Sequence, residues 1–312
     1  MKFLNHKTHI DFMGRSKLAL IFSTVLIIAS ITSLVVRGLN FGLDFTGGTL
    51  IEVGYPKAPV ISDVRDNLAA AGFESVVQTF GAATDIVVRI PPSENEESNA
   101  ELSTRVLAAL SQGVEGEIEM RRVEFVGPQV GEELTEQGIL AVIYAMVGVF
   151  LYVMFRFQWR FSVGAVTALV HDVIISMGVL SFVQIEFDLT VVAALLAVVG
   201  YSLNDTIVLF DRIRENFPRY RKQQPVEVVN TSINETLART LMTSTTTLLV
   251  LFALFFFGGE IIHGFAFTLI TGVVIGTYSS IYVASTMLLV LGVSKTDLMP
   301  VEKEGVAFDN TP

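Results

Sequence analysis

Six long apolar runs constrain this chain more than any other feature. They fall at about 18–36, 138–155, 161–183, 189–210, 240–257 and 265–291 of the 312 residues. A helix needs roughly 20 apolar residues to cross a hydrocarbon core about 30 Å thick. In lipid every backbone polar group must be satisfied internally, and runs of this length do so as helices. The expected class is a polytopic α-helical membrane protein with six transmembrane helices. Arg37 and Gly38 follow the first run, with no Ala-x-Ala-like site, so it reads as an uncleaved anchor and not as a signal peptide.

Lys and Arg set the expected orientation. Lys2, Lys7, Arg15 and Lys17 precede or open the first run, and Arg156 and Arg160 follow the second. Arg212, Arg214, Arg219, Arg221 and Lys222 follow the fourth, whereas loops 184–188 and 258–264 carry no Lys or Arg. Both termini are therefore expected in the cytoplasm. The chain divides into residues 1–37 (cytoplasmic N-terminus and first span), 38–137 (an extracytoplasmic domain), 138–292 (spans two to six) and 293–312 (a polar cytoplasmic tail).

Charge is unevenly spread. Residues 38–137 hold 17 Asp/Glu against 6 Lys/Arg, a net of −11 in a chain whose total is −10. The acidity belongs to one soluble module, and no basic face is offered to nucleic-acid phosphates. That module reads βαββαβ. Strand 49–53 leads to helix 62–71, stopped by Gly72, and strands 76–80 and 85–90 are joined through Gly81. Ser98 and Glu101 have capping-box spacing for a helix through Leu110, and strand 117–126 closes the order. This is the ferredoxin-like split of an α+β domain. The stretch before it, with Gly42, Asp44, Gly47 and Gly48, reads as a connector that orients the domain on the membrane. A phosphate loop is not supported there, because no Gly-Lys-Ser/Thr ending follows.

The fourth run ends Gly200-Tyr201-Ser202-Leu203-Asn204-Asp205-Thr206-Ile207-Val208-Leu209-Phe210, then meets water at Asp211-Arg212. Asp205 lies about 9 Å inside that boundary at 1.5 Å per residue. A carboxylate at that depth costs on the order of 3 kcal/mol unless it is paired or titrates. Arg239, at similar depth in the fifth run, is the expected partner, with Thr243 and Thr246 on following turns. Ser202 is expected to steady the carboxylate. The functional reading is a pair that couples proton movement to mechanical work; the alternative is an ion pair that pins two helices. Thr243, Ser244, Thr245, Thr246 and Thr247 form a hydroxyl run expected to face a bundle interior.

The third run holds a second polar pair, His171-Asp172. Adjacent helical residues point about 100° apart, so one ligand does not readily use both. An interhelical hydrogen-bonding pair and a proton relay both remain open. The basic stretch 211–222 reads as a loop near lipid headgroups. Pro225 starts an amphipathic helix, with Val226, Val229, Ile233 and Leu237 on one face, expected along the membrane surface. Gly272-x-x-x-Gly276 reads as a close-packing face. No Cys is present, which excludes disulfides and thiolate sites, and no hydrolase, metalloprotease or nucleotide motif appears. No enzyme, metal or organic cofactor is expected.

Asn40-Phe41-Gly42-Leu43-Asp44-Phe45-Thr46-Gly47-Gly48-Thr49, the stretches 200–206 and 211–216, and Arg239-Thr240-Leu241-Met242-Thr243-Ser244 together resemble the SecF members of the SecD/SecF protein-export family. That family lies in the resistance-nodulation-division superfamily, and the likeness runs from the first span to Gly292. The resemblance implies a six-span subunit of the cell inner membrane that pairs with SecD. It also implies association with the SecYEG channel, YajC and a translocating precursor, while SecA drives the cytoplasmic side. It places Asp205, Arg239 and Thr243 in an ion pathway, Asn204 beside it, and makes H+ or Na+ the coupling ion. Two other functions are kept: a non-coupling scaffold of the translocase, and a subunit of a small-molecule or lipid exporter of the same superfamily.

Overall fold

A computed structural model describes residues 8–92 and 99–293. Ser98, and with it the expected capping box, lies outside them, as do the first seven residues and the tail after Val293. In chain order the elements are α1 (Ser16–Arg37), β1 (Asn40–Phe41), α2 (Leu43–Thr46), β2 (Gly48–Gly54), α3 (Ile61–Ala70), β3 (Val76–Phe80), β4 (Ala82–Ile90), α4 (Asn99–Leu110) and β5 (Glu119–Val126). They continue with α5 (Pro128–Arg156), α6 (Trp159–Val183), β6 (Glu186–Phe187), α7 (Leu189–Arg219), α8 (Pro225–Phe257), α9 (His263–Ser279) and α10 (Ser285–Val290). A π-helical turn, Ser280–Ala284, joins α9 to α10. Six helices are long and apolar enough to cross a membrane: α1 with the turn before it, α5, α6, α7, α8, and α9 continued through α10.

The helices run past the apolar runs, and this corrects two expectations. Residues 211–219 are not a loop; they are the last turns of α7. Pro225 does not open a helix lying along the surface, because α8 is one helix of 33 residues, about 50 Å long. Packing explains both. Ile213 and Phe217 of α7 share a core cluster with Val228, Val229, Ile233 and Leu237 of α8. The apolar face read as lipid-binding is thus spent on the neighbouring helix. Buried Asn216 fastens the same hairpin, donating to Ser232 Oγ at 3.0 Å and Glu235 Oε2 at 2.7 Å. The segment ahead of α1 docks here too: Asn234 Oδ1 accepts from Ile10 N (2.9 Å) and Asn230 Oδ1 from Phe12 N (2.8 Å).

The four-stranded sheet has the order β3-β4-β2-β5, antiparallel throughout. Two crossing helices between alternate strands produce that order in the split arrangement. Ile51, Val53, Val77, Ile86 and Val88 alternate onto one face and bury against Val64 and Leu68 of α3 and Val106 and Leu110 of α4. The last strand starts at Glu119, two residues later than its alternation suggested, since Ile118 turns into the core. The opposite face carries Leu50 and Val87, which pack with Leu43 of α2. The sheet therefore rests on the segment that leaves the first span.

Candidate functional site

α9 lies close against α7 because glycine lets it. A Cβ on Gly272 would come 2.1 Å from Val198 Cγ2, and one on Gly276 would come 3.0 Å from Ser202 Cβ. Small residues permit such approach where lipid supplies no hydrophobic drive. On α7, Asp205 is buried at 4% exposure, and its Oδ2 has no hydrogen-bond partner. An orphaned buried acceptor costs about 1–3 kcal/mol. Arg239 of α8 acts on Asp205 through its charge, but no ion pair within 4.0 Å joins the two. Arg239 is instead exposed, as are Asn204, Thr245 and Thr246.

The hydroxyl run does not face this chain's own bundle. Thr243 Oγ1 donates to Arg239 O (3.1 Å) and Thr240 O (2.9 Å), and Thr246 Oγ1 to Met242 O (2.9 Å). These hydroxyls satisfy themselves on their own helix, as Ser and Thr do when no other partner is in reach. Of the run's five hydroxyl residues only Ser244 is buried, bonded to Thr277 Oγ1 at 2.7 Å. Arg239, Asn204, Thr245 and Thr246 are thus exposed polar groups on helices long and apolar enough to span a membrane.

Ser202 was expected at Asp205 and is not there. Its Oγ donates to Asp172 Oδ2 at 2.6 Å, and Ser279 Oγ donates to the same oxygen at 2.7 Å. Asp172 Oδ1 lies 2.9 Å from His171 Nδ1, so the adjacent residues meet each other although their helix positions diverge. His171 Nε2 lies 3.1 Å from Ser23 Oγ of α1, and Ser23 lies 3.1 Å from Tyr278 Oη. Tyr278 Oη donates to Ala19 O at 2.6 Å. This network joins the first, third, fourth and sixth spans; Asp172 and Ser202 in it are fully buried. Ser23 and Tyr278 carried no sequence signal, and Ser279 only follows the Gly272-x-x-x-Gly276 packing face in the chain. Lone hydroxyls in two spans far apart in the chain have no spacing that could announce them.

At the end of the bundle that carries the sheet, the glycine-rich stretch binds several elements at one point. β1 pairs in parallel with β6, Asn40 opposite Glu186. Asp44 Oδ2 accepts from Leu189 N at 2.9 Å, capping the helix that carries Asp205. Gly48 has φ +114, and a Cβ there would lie 2.3 Å from Ile90 O. A Cβ on Gly131 of α5 would lie 3.1 Å from Gly47 N, and one on Gly42 would lie 2.9 Å from Glu186 Oε1. Arg89 of β4 forms an ion pair with Glu186 and so ties the sheet to the loop between the third and fourth spans. Burial raises the Glu186 carboxyl above its usual range, opposed by Arg89. The sequence offered no reason to pair these two, 97 positions apart.

A bundle of six apolar helices with one α+β domain between the first two, a glycine-rich connector and buried aspartates in the third and fourth spans defines a class of polytopic membrane protein. Residues 106–294 match the family described as protein export membrane protein SecD/SecF, C-terminal, and residues 32–55 match the SecD/SecF GG motif. The chain belongs to the SecD/SecF family. It is 55% identical over 306 residues to the protein translocase subunit SecF of Vibrio alginolyticus, covering 97% of each chain. Identity to the SecF of Escherichia coli O157:H7 is 48%, over 97% of this chain and 95% of that one. A crystal structure of SecDF, a translocon-associated membrane protein from Thermus thermophilus, matches with TM-score 0.83 and 35% identity. That match covers 93% of this chain but 39% of the SecDF chain.

Proposed function

We propose that this chain is the SecF-type half of a protein-export subunit pair, completed by SecD in the inner membrane with both termini cytoplasmic. Asp205, Arg239 and Thr243 form one wall of an ion pathway whose other wall is SecD. The coupling ion is H+ or Na+, and no other cofactor takes part. Ion passage shifts the packing of α7 and α8, and the Asp44 cap passes that shift to the external domain, which pulls on the emerging precursor. The SecYEG channel, YajC and, indirectly, SecA are the surrounding partners.

One observation carries this reading. Asp205 is buried with an unpartnered oxygen, while Arg239 beside it is exposed on a helix long and apolar enough to span a membrane. Charged groups at membrane depth are costly unless they face another protein surface or a water-filled path. A chain of this family that spans 39% of SecDF has such a surface to meet. The test is export of a secreted precursor from cells carrying Asp205→Asn, with membrane levels and complex assembly measured alongside. Export is expected to fall to the level of cells lacking the subunit while levels stay normal, because Asn keeps the shape and removes the charge. Normal export would leave the non-coupling scaffold as the correct reading.

A further inference from the structure

We propose that the His171–Asp172 pair is a second proton-binding site, holding one proton more than a neutral imidazole with a carboxylate would. The argument follows hydrogen-bond direction. The Ala19 carbonyl only accepts, so the 2.6 Å contact takes the single hydroxyl hydrogen of Tyr278. Tyr278 then has none left for Ser23, and the 3.1 Å contact between them uses the Ser23 hydrogen. Ser23 in turn has none left for His171, so the 3.1 Å contact at Nε2 requires an N–H on that nitrogen. The 2.9 Å contact between Nδ1 and Asp172 Oδ1 needs one more hydrogen. These links require four hydrogens in all; Tyr278, Ser23 and a neutral imidazole bring three.

The fourth hydrogen sits on the pair itself, as imidazolium with carboxylate or as imidazole with carboxylic acid. Either form is neutral overall, which suits its burial: His171 is 3% exposed and Asp172 0%. A neutral imidazole beside a bare carboxylate would leave a net negative charge in the bundle. The groups facing the pair add no charge of their own. α1 supplies Ser23, α7 supplies Ser202, and α9 supplies Ser279 and Tyr278, with the ring of Tyr282 in the π-helical turn tilted beyond, 5.2 Å from the Tyr278 ring. Asp205 lies one helical turn from Ser202 on α7 and makes no hydrogen bond to the network. The π-helical turn Ser280–Ala284 begins directly after Ser279, and turns of that kind gather at functional positions.

Loss of the proton has a defined structural consequence. Ser23 would turn its hydrogen to Nε2, and the Ser23–Tyr278 link would have no hydrogen, since Tyr278 stays committed to Ala19. The proton therefore controls whether the Ser23–Tyr278 link joins the first and sixth spans in addition to the Tyr278–Ala19 bond, which stays in place.

The experiment reads protonation and not export, so it stands or falls apart from the coupling role of Asp205. The full-length chain, labelled with 15N-histidine in lipid nanodiscs, is examined by NMR at neutral pH, and His171→Gln assigns the signal among four histidines. Both ring nitrogens of His171 should carry hydrogen. One protonated nitrogen together with an infrared carboxylic-acid band that vanishes in Asp172→Asn also supports the site, with the proton on the partner. One protonated nitrogen and no such band overturns it. Tyr278→Phe keeps the ring and removes the hydroxyl that sets the direction, so the fraction of proton-loaded pair should fall. An unchanged fraction would overturn the assignment of that proton to this chain of hydrogen bonds.

Discussion

Two buried aspartates sit on adjacent helices of this bundle in opposite surroundings. Asp172 on α6 has both oxygens engaged, by His171 on one and by Ser202 and Ser279 on the other. Asp205 on α7 has one oxygen without any partner and a cation that lies beyond ion-pair distance. The first site is complete within this chain and the second is not. Burial alone therefore does not set a carboxylate's role; what matters is whether the same chain supplies every partner. The proton of the closed network is held by this chain's own hydrogen bonds, whereas the open site leaves room for an ion, water or a second subunit to decide its state.

The contrast breaks most readily in stability. Asp172→Ala strands His171 and two hydroxyls in the bundle and should cost about 3–5 kcal/mol, the range for removing one partner of a buried pair. Asp205→Asn should cost about 1 kcal/mol or less, because it removes a charge that this chain does not satisfy. Unfolding in mixed micelles compares them, and equal losses would end the distinction. Ser202→Ala and Ser279→Ala should each cost about 1.5–3 kcal/mol, as hydrogen bonds to a charged group do. Their effects should not add, because both bond one oxygen.

Gly48→Ala should cost about 1–3 kcal/mol, from a φ of +114 and a Cβ 2.3 Å from Ile90 O. That loss should fall on the external domain and spare both aspartates, which hydrogen exchange resolved by segment would show. Thr243→Ala and Thr246→Ala should lie within about 0.5 kcal/mol in the isolated chain. A larger loss when the SecD partner is present would place these hydroxyls at its surface.

The smallest effect concerns pH. Burial raises the Glu186 carboxyl, so the folded protein holds that proton more tightly than the unfolded chain does. The contribution is complete below the ordinary carboxylate range and is lost as pH rises through the raised value. Folding stability should fall over that interval, by less than burial alone would cause because the ionised carboxylate meets Arg89; unfolding in mixed micelles at each pH reads the loss, and Glu186→Gln should flatten the profile.

Much of the architecture was legible in the chain. The six spans follow from the length of the apolar runs, because a bilayer accepts few alternatives. The element order of the α+β domain follows from alternation and turn residues, and its four strands form one antiparallel sheet. The end of α7 and the start of α8 were misread for a physical reason. An amphipathic helix that buries its face on a neighbour has the same periodicity as one that buries it in lipid, and Val229 and Ile233 carry no mark of which. Ser202 was assigned to the nearer aspartate along its own helix, when its partner stands on the helix beside it.

The sequence by itself determined that this is a six-span membrane protein with one acidic α+β domain between the first two spans. It also determined which few residues inside the spans can carry charge, since water-to-lipid transfer acts residue by residue and leaves its record in composition and spacing. Only the tertiary structure decided which of those residues meet. Hydrogen bonds act over about 3 Å between helices that the chain order leaves far apart. Asp172 is closed by hydroxyls from two other helices and Asp205 is left open for the same reason, the rotation and approach of α7 and α9 at Gly272 and Gly276.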